Sequence, residues 1–203
     1  PLSITLSSAS SNSASSISVT IPAGTDTQAV TVTTAAGTSN SKSFTYKPVI
    51  TSLSPNGGAI GSQITINGTS FTGASSVKFG TVNATSFMVI SSTEITATVP
   101  SGTSSVNVTV TTPAGTSNSK SFTHAPVITS LSPTSGAVGG SLTISGTTLT
   151  GATSVKFGTT NAMINSNFAT SINVTIPAGT DIQGITVTTP SGTSNSKSFT
   201  YKP

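Results

Sequence analysis

Apolar and polar side chains alternate along much of the chain. In Ile64-Thr65-Ile66 the apolar residues occupy every second position, and the same alternation recurs in Val77–Phe79, Ile95–Val99 and Val106–Val110. A period of two is typical of a strand with one buried and one wet face, as in antiparallel sheets. Turn signals such as Asn67-Gly68 separate the runs. The pattern predicts about seven short strands packed as a two-sheet sandwich, and no helix of useful length.

The sequence also repeats itself. The phrase PVITSLSP begins at Pro48 and again at Pro126, and the phrase SNSKSFT begins at Ser39, Ser117 and Ser194. A spacing of about 78 residues is longer than the usual solenoid repeat and suits a small domain with its own core. The repeat divides the chain into an incomplete first unit, residues 1–47, a second unit, residues 48–125, and a third unit, residues 126–203.

The alternation assigns a core to each complete unit and part of a core to the first. The predicted core positions are Ile64, Ile66, Phe79, Ile95, Val108 and Phe122 in the second unit, and Leu142, Ile144, Phe157, Ile172, Val187 and Phe199 in the third. Those of the first unit are Ile17, Val19, Ile21, Val30, Val32 and Phe44. Gly68 and Gly146 are expected to end a strand at a sharp turn with positive φ.

The first unit lacks a counterpart of the two strands that open a complete unit. Its apolar face and bare sheet edge are therefore expected to be covered in the native assembly, since proteins avoid both. The favoured cover is preceding sequence of a longer array, and the alternative is a strand donated by a neighbouring subunit.

Spaced glycines, prolines and apolar residues identify a family. The second unit carries Pro48, Ile50, Leu53, Pro55, Gly58, Gly61, Ile64, Ile66, Gly68, Phe71, Val77, Phe79 and Gly80. The third carries Pro126, Ile128, Leu131, Pro133, Gly136, Gly139, Leu142, Ile144, Gly146, Leu149, Val155, Phe157 and Gly158. This pattern resembles the IPT/TIG domain, whose bacterial members have a similar closing strand pair. The resemblance implies an all-β fold of tandem immunoglobulin-like, early-set β-sandwiches. The family occurs in bacterial surface proteins, phage fibres, plexin-type receptors and Rel-type transcription factors.

The few charged residues exclude several function classes. The isoelectric point near 9.7 comes from seven Lys without any Arg, and these Lys are scattered. Nucleic-acid sites depend on clustered Lys and Arg, so no nucleic-acid partner is predicted. The absence of Cys excludes disulfides and thiolate chemistry. This segment contains no long apolar run, so membrane insertion is not predicted for it.

The candidate catalytic and metal-binding residues are too few for chemistry. Asp26, Glu94 and Asp181 supply about one acid per unit, whereas paired-carboxylate hydrolysis and tight calcium binding need more. His124 has no Cys partner, and it occupies the position of Tyr46 and Tyr201, so it is interpreted as a residue of the linker region. The chain is predicted to have no catalytic residues, no metal and no cofactor. A serine nucleophile is not predicted either, because no general base that could activate a serine occurs at a repeated position.

The sequence bears on two kinds of covalent modification, isopeptide crosslinking and glycosylation. Lys78 and Lys156 alternate with inward Val and Phe, so they are expected to point outward, where intramolecular isopeptide bonds do not form. Four sequons mark candidate N-glycosylation sites, and a Thr-rich chain also produces such sequons by chance. The alternation predicts outward, exposed side chains for three of the four, and a hairpin position for Asn83; the sites are Asn67, Asn83, Asn107 and Asn173.

The connections between units contain no flexible spacer. The segments FTYKPVIT and FTHAPVIT lead from the last strand of one unit through a Pro into the next unit. Because Pro fixes φ and no Gly or Ser run intervenes, the joints are expected to be semi-rigid and the array rod-like.

These features predict a structural and interaction role outside the cell. The leading hypothesis is a segment of an extracellular fibre, stalk, filament or surface adhesin with no enzyme activity. Its partners would be further copies of the module or neighbouring fibre subunits, and its location extracellular, at the cell surface or in a virion fibre. The alternative is a carbohydrate- or receptor-binding module that uses sandwich loop tips for cell-surface glycans or receptors. The lack of Trp leaves few aromatic platforms for a sugar.

Overall fold

The computed structural model describes residues 2–4, 9–12, 15–102 and 105–203, and within residues 2–4 and 9–12 it describes the backbone alone. All regular structure in these residues is β, so the fold class predicted from the alternation is confirmed. The described part contains no helix that is long and apolar enough to cross a membrane.

The second unit is a sandwich of two sheets. One sheet has the strand order β12-β13-β9-β7, and the other has the order β11-β10-β14-β16-β8, with β15 paired to β14. Seven of these strands have four or more residues, as the alternation predicts. The strands are β7 (Val49–Ser54), β8 (Gly57–Gly58), β9 (Gln63–Thr69), β10 (Ser76–Phe79), β11 (Val82–Asn83), β12 (Phe87–Ser91), β13 (Glu94–Thr98), β14 (Ser105–Thr112), β15 (Gly115–Thr116) and β16 (Lys120–His124).

The third unit repeats this arrangement strand for strand. Its sheets have the orders β17-β19-β23-β22 and β18-β26-β24-β20-β21, with β25 paired to β24. The strands are β17 (Val127–Ser132), β18 (Ser135–Gly136), β19 (Ser141–Thr147), β20 (Ser154–Phe157), β21 (Thr160–Asn161), β22 (Met163–Asn167), β23 (Ser171–Thr175), β24 (Ile182–Thr189), β25 (Gly192–Thr193) and β26 (Lys197–Tyr201).

The two complete cores occupy the predicted positions. Ile66 pairs with Ile95 in one unit, and Ile144 pairs with Ile172 in the other, so the register is the same. All twelve predicted core side chains of these units are 0 to 2% exposed. The alternation specified the register because slipping by one residue would turn the whole apolar set toward solvent.

The described residues of the first unit form the later strands of a sandwich and one short additional strand, β1. Its strands are β1 (Leu2–Ile4), β2 (Ala9–Asn12), β3 (Ile17–Val19), β4 (Thr27–Thr34), β5 (Gly37–Thr38) and β6 (Lys42–Thr45). The β2–β3 pair has the same register shift as β22–β23. In the complete units β13 and β23 each pair with strands on both sides, whereas β3 pairs only with β2 among the described residues.

An unexpected strand borders β4. β1 pairs with β4 in parallel, with Leu2 opposite Val30. In the second unit the same side of the equivalent strand, β14, is taken by β10 in antiparallel orientation, with Phe79 opposite Val108. The sequence analysis missed this strand because Leu2–Ile4 is too short to show an alternation.

The predicted core positions of the first unit remain partly open. No side chain of residues 15–47 is buried, and Ile21 is 53% exposed, whereas its counterparts Val99 and Ile176 are 0% and 2% exposed. The covering of this face by further sequence or by another subunit therefore stays a prediction.

An asparagine ties the opening strand to each complete sandwich. The Asn118 side chain accepts a hydrogen bond from the Ile50 backbone N–H at 2.7 Å and donates one to the Ile50 carbonyl at 3.0 Å. Asn195 makes the same two bonds with Ile128, at 2.8 and 3.1 Å. Asn40 holds this position in the first unit, where it is exposed and where the described residues contain no equivalent of β7.

Gly68 and Gly146 lie inside strands, so their predicted role at a positive-φ turn is wrong. Gly68 belongs to β9, and neither glycine has a positive φ. A Cβ at Gly68 would overlap the Val49 carbonyl, and one at Gly146 would overlap the Val127 carbonyl. These positions require glycine because two backbones approach closely.

Candidate functional site at the joints between units

Short connections bring adjacent units into contact. Between β6 and β7 the chain has three residues, 46–48, and between β16 and β17 it has two, 125–126. Pro48 and Pro126 are buried at these joints. The connecting segments also pack on the following unit, where Gly115 lies against the Lys47 side chain and Gly192 against Ala125. The spacer-free connection predicted from the sequence is thus confirmed.

A hydrogen bond crosses the first joint, between the first and second units. The Asp26 backbone N–H donates to Ser70 Oγ at 2.7 Å, and the Asp26 carbonyl accepts from the Tyr46 N–H at 2.9 Å. Asp26 and Ser70 have φ values of 57° and 59°. Such angles are uncommon for residues with a Cβ, although Asp tolerates them better than most.

The first joint contains a cleft lined by oxygen-bearing side chains. Its volume is about 430 Å³, within the range of small-ligand sites. The Thr27 and Thr45 hydroxyls are hydrogen-bonded to each other at 2.9 Å. The lining residues are Asp26, Thr27 and Thr45 from the first unit, and Ser70, Thr72, Thr112 and Pro113 from the second.

The second joint, between the second and third units, contains a matching cleft of about 460 Å³. Ser105 and Thr123 repeat the hydroxyl pair of the first joint, at 2.8 Å. Thr148 has the positive φ of its counterpart Ser70, at 56°. The lining residues are Ser105, Thr123, Thr147, Thr148, Thr150, Ala169, Thr170, Thr189 and Ser191.

The two clefts differ in charge and in satisfied hydrogen bonds. In the first cleft Asp26 Oδ1 and Thr112 Oγ1 are buried and have no hydrogen-bond partner. In the second cleft Thr147 Oγ1 is also buried without a partner. Thr189, the counterpart of Thr112, is bonded there: it donates to the Gly192 carbonyl at 3.4 Å and accepts from the Ser191 N–H at 3.3 Å. The sequence places Ser104 at the position of Asp26, so no carboxylate arises there.

One exposed aromatic residue adjoins the second cleft. Phe168 is 64% exposed in the turn between β22 and β23, immediately before the lining residues Ala169 and Thr170. An exposed ring beside hydroxyl groups combines an apolar face with polar partners. The sequence analysis missed Phe168, since only its position in a tight turn exposes it.

The acidic residues named in the sequence analysis lie in different units. Asp26 lines the first cleft, Glu94 begins β13, and Asp181 is exposed just before β24. The described residues contain no group of three or more His, Cys, Asp or Glu side chains that could hold a metal ion. Lys78 and Lys156 are exposed, as their parity predicts.

His124 is buried, so its interpretation as a residue of the linker region is wrong. It is the last residue of β16, is 1% exposed, and packs edge-on against Phe122 at 5.4 Å between ring centroids. Its Nε2 lies 3.3 Å from the Pro100 carbonyl oxygen. A Cβ at Gly102 would overlap the His124 ring, which explains the glycine opposite it.

Tyr46 and Tyr201 fill the same position in the other units. The Tyr46 hydroxyl donates to the Pro22 carbonyl at 3.0 Å. The Tyr201 hydroxyl is buried and has no hydrogen-bond partner, and its burial raises the pKa of Tyr201 above the ordinary value. Only the Tyr46 hydroxyl therefore makes a bond to the backbone like that of a tyrosine corner.

The four sequon asparagines have different surroundings. Asn107 and Asn83 are exposed, which confirms the prediction for Asn107. Asn67 and Asn173 lie on the outer face as predicted, but they are half-buried rather than exposed. Asn173 is held there by side-chain hydrogen bonds, including one to Ser141 Oγ at 2.9 Å. Glycosylation at any of the four sites remains a prediction.

Several solved structures are similar to this chain. SGBP-B from a complex xyloglucan utilization locus in Bacteroides uniformis is 19% identical, with a TM-score of 0.35, over 73% of this chain and 48% of that protein. The full extracellular region of plexin A4 is 20% identical, with a TM-score of 0.37, over 77% of this chain and 18% of that one. A gamma-CGTase from alkalophilic Bacillus clarkii is 21% identical, with a TM-score of 0.38, over 68% of this chain and 22% of that enzyme.

These structures show no common activity, and the chain spans less than half the length of each. At such identities and scores the likeness concerns the fold alone. Comparison with curated proteins gives no significant match.

The family is established by a different comparison. The IPT/TIG domain model matches residues 48–124 and again residues 126–201. The two matches agree with the two complete sandwiches, which are immunoglobulin-like, and with the spaced glycines and prolines of the sequence. The chain belongs to the IPT/TIG domain family.

Proposed function

We propose that this chain is a segment of an extracellular or surface protein in which IPT/TIG units form a stiff, non-catalytic spacer. The spacer would hold other parts of the assembly away from a surface. Its neighbours would be further copies of the module or other subunits of the same fibre, stalk or adhesin.

The observation that carries this proposal is the repeated packing at both joints. Each joint has a buried proline and a connecting residue seated on a turn glycine of the next unit. A linker of two or three residues that contains a buried proline leaves few rotations for the next unit. A strand of about nine residues spans roughly 30 Å, so each unit lengthens a stiff array by at least that distance. Such an array reaches far for little mass.

Small-angle X-ray scattering tests the proposal on the whole chain. The expected scattering is that of an elongated particle whose maximum dimension is the same at low and at high salt. A matched variant carries a Gly-Ser-Gly-Ser insertion between Ala125 and Pro126, which should broaden the distance distribution. A compact or widely variable wild-type particle would contradict the proposal.

Carbohydrate binding is a second candidate function, favoured by Phe168 beside the second cleft. Sugars bind where an exposed ring covers their apolar face and hydroxyl or amide groups meet their polar edge. Here the 64% exposed Phe168 adjoins a cleft lined by Ser and Thr. The cleft would bind a neutral glycan, since its described lining residues carry no ionisable side chain.

A glycan array probed with the wild-type chain and with Phe168→Ala tests this function. Selective binding that disappears in Phe168→Ala would support it. Met163→Ala is the matched control, because Met163 has nearly the same exposure, 65%, but no lining residue of the cleft as its chain neighbour. Absence of binding to any glycan, or equal loss in both variants, would refute it.

A further inference from the structure

We propose that the first joint holds a hard cation, with calcium as the best probe, between the Asp26 carboxylate of the first unit and the hydroxyl groups of the second. The site goes beyond the spacer function, since the packing at the joints exists without it. It differs from a calcium site within one unit, for which the sequence provides too few acids.

The first reason is a buried carboxylate oxygen without a partner. Asp26 Oδ1 is buried at the joint and has no hydrogen-bond partner. Removing a carboxylate oxygen from water without compensation is strongly unfavourable, and proteins therefore pair such groups or bind a metal ion to them. The Asp26 backbone is fixed by the bond from its N–H to Ser70 Oγ, so the carboxylate is held at the joint.

The second reason is an independent oxygen that faces the same cleft. Thr112 comes from the other unit, is 5% exposed, and its Oγ1 is buried without a partner. The two orphaned oxygens therefore belong to residues of different units that line one cleft. A cation would satisfy both and would reduce the free energy that each orphaned oxygen costs.

The chemistry of the remaining lining also suits a hard cation. Every polar side chain that lines the cleft carries a carboxylate or a hydroxyl group. These residues are Asp26, Thr27, Thr45, Ser70, Thr72 and Thr112. Calcium takes 6 to 8 oxygen ligands with flexible geometry and accepts water among them. A volume of about 430 Å³ leaves room for several waters at about 30 Å³ each.

The chain provides its own comparison for Asp26. Asp181 stands at the same place in the third unit, and it is exposed there, with its Oδ2 accepting a hydrogen bond from Thr180 Oγ1 at 3.1 Å. The sequence has Ser104 at this place in the second unit. The proposed site is thus confined to the first joint, where the acid Asp26 lies against the second unit; the second joint has Ser104 in place of an acid.

Isothermal titration calorimetry of the chelator-treated whole chain with CaCl2 tests the site. The expected result is one saturable site with a dissociation constant of about 10⁻⁴ to 10⁻³ M, as in extracellular calcium modules. Asp26→Asn should weaken binding at least tenfold, and Thr112→Val should weaken it less. Asp181→Asn is the matched control and should bind as the wild type does.

Hydrogen exchange of the Asp26 amide gives a second, local readout. Calcium should slow this exchange in the wild type, because a bound ion holds the two units together across the Asp26–Ser70 bond. If Asp26→Asn fails to fold, the comparison rests on Thr112→Val against the wild type. Absence of saturation up to about 10 mM calcium, or equal affinity in Asp26→Asn and the wild type, would overturn the proposal.

Discussion

The first and second units use nearly the same closing sequence, yet only one of them has a buried core. Phe44 in the first unit and Phe122 in the second both stand in the phrase SNSKSFT. Phe122 is 0% exposed and packs edge-on against Phe79 of the same core. Phe44 is half-buried, and its ring packs edge-on against Tyr46.

The difference lies in the opening strands and not in the shared ones. In the second unit β7 and β9 bring Ile50, Ile64 and Ile66 across the closing strands. The first unit has no such strands among its described residues, and its apolar positions stay partly exposed. The alternation of a strand therefore selects which face will be buried, and the opposite sheet decides whether that face is buried.

The largest expected effect comes from supplying the opening strands. A chain in which a copy of residues 48–79 replaces Pro1 should complete the first unit, because the copied strands then precede the β2–β3 pair by the spacing that separates them from β12 and β13 in the second unit. Six apolar side chains at roughly 1.5 to 3 kcal/mol each set the gain in unfolding free energy at about 10 kcal/mol. Native-state hydrogen exchange of the amides in β3 and β4 measures it.

The control copy for this experiment carries Asp at the positions of Ile64 and Ile66. It has the same length and should not protect β3 or β4. Equal protection by both copies would show that the opening strands do not cover the apolar face of the first unit.

The next effect concerns the matched phenylalanines. Phe122→Ala should destabilise the second unit by about 3 to 5 kcal/mol, since it leaves a cavity in a closed core. Phe44→Ala should cost less than half of that in the first unit, because the ring is half-exposed. Urea denaturation followed by hydrogen exchange in each unit gives both values. Equal losses would contradict the difference between an open and a closed core.

The asparagine clamp gives a smaller effect with a matched control. Asn118→Ala should cost about 1 to 3 kcal/mol, because the Ile50 N–H and carbonyl lose their partners. Asn40→Ala should be close to neutral in the present chain. In the chain completed with residues 48–79, however, Asn40→Ala should become as costly as Asn118→Ala. A neutral Asn40→Ala in the completed chain would mean that the opening strand docks differently there.

The smallest effect is a pH dependence in the third unit. Burial raises the pKa of Tyr201, so the folded unit favours the neutral phenol. The resulting stability is fully present below the unfolded pKa, about 10, and is lost as the pH rises through the folded pKa. Spectrophotometric titration and urea denaturation above pH 9 should show this loss, and Tyr201→Phe should remove it. An unchanged pH dependence in Tyr201→Phe would assign the loss to other groups.

The sequence predicted the sandwiches well because alternation and repetition are local signals. The burial of Ile66 and Ile95 follows from the alternation of apolar and polar residues in their own strands. The burial of His124 could not be predicted in this way, since it depends on Gly102 and on the Pro100 carbonyl, both in the connection between β13 and β14. Gly68 was misinterpreted for a similar reason, because the backbone that approaches it belongs to β7.

The clefts at the joints were also beyond the sequence. Asp26 and Thr112 are separated along the chain, and nothing in their local pattern indicates that they line one space. Their meeting depends on how one unit sits on the next. The sequence indicated only that the connection is short, which is the condition for such a contact.

The stiffness of the joints is the central claim, and the distance between two units measures it most directly. The chain has no Cys, so Lys78→Cys and Lys156→Cys can carry two spin labels at exposed, equivalent positions of β10 and β20. Double electron–electron resonance should give one narrow distance distribution, which a Gly-Ser-Gly-Ser insertion between Ala125 and Pro126 broadens. A wild-type distribution as broad as that of the insertion variant would contradict the stiff spacer.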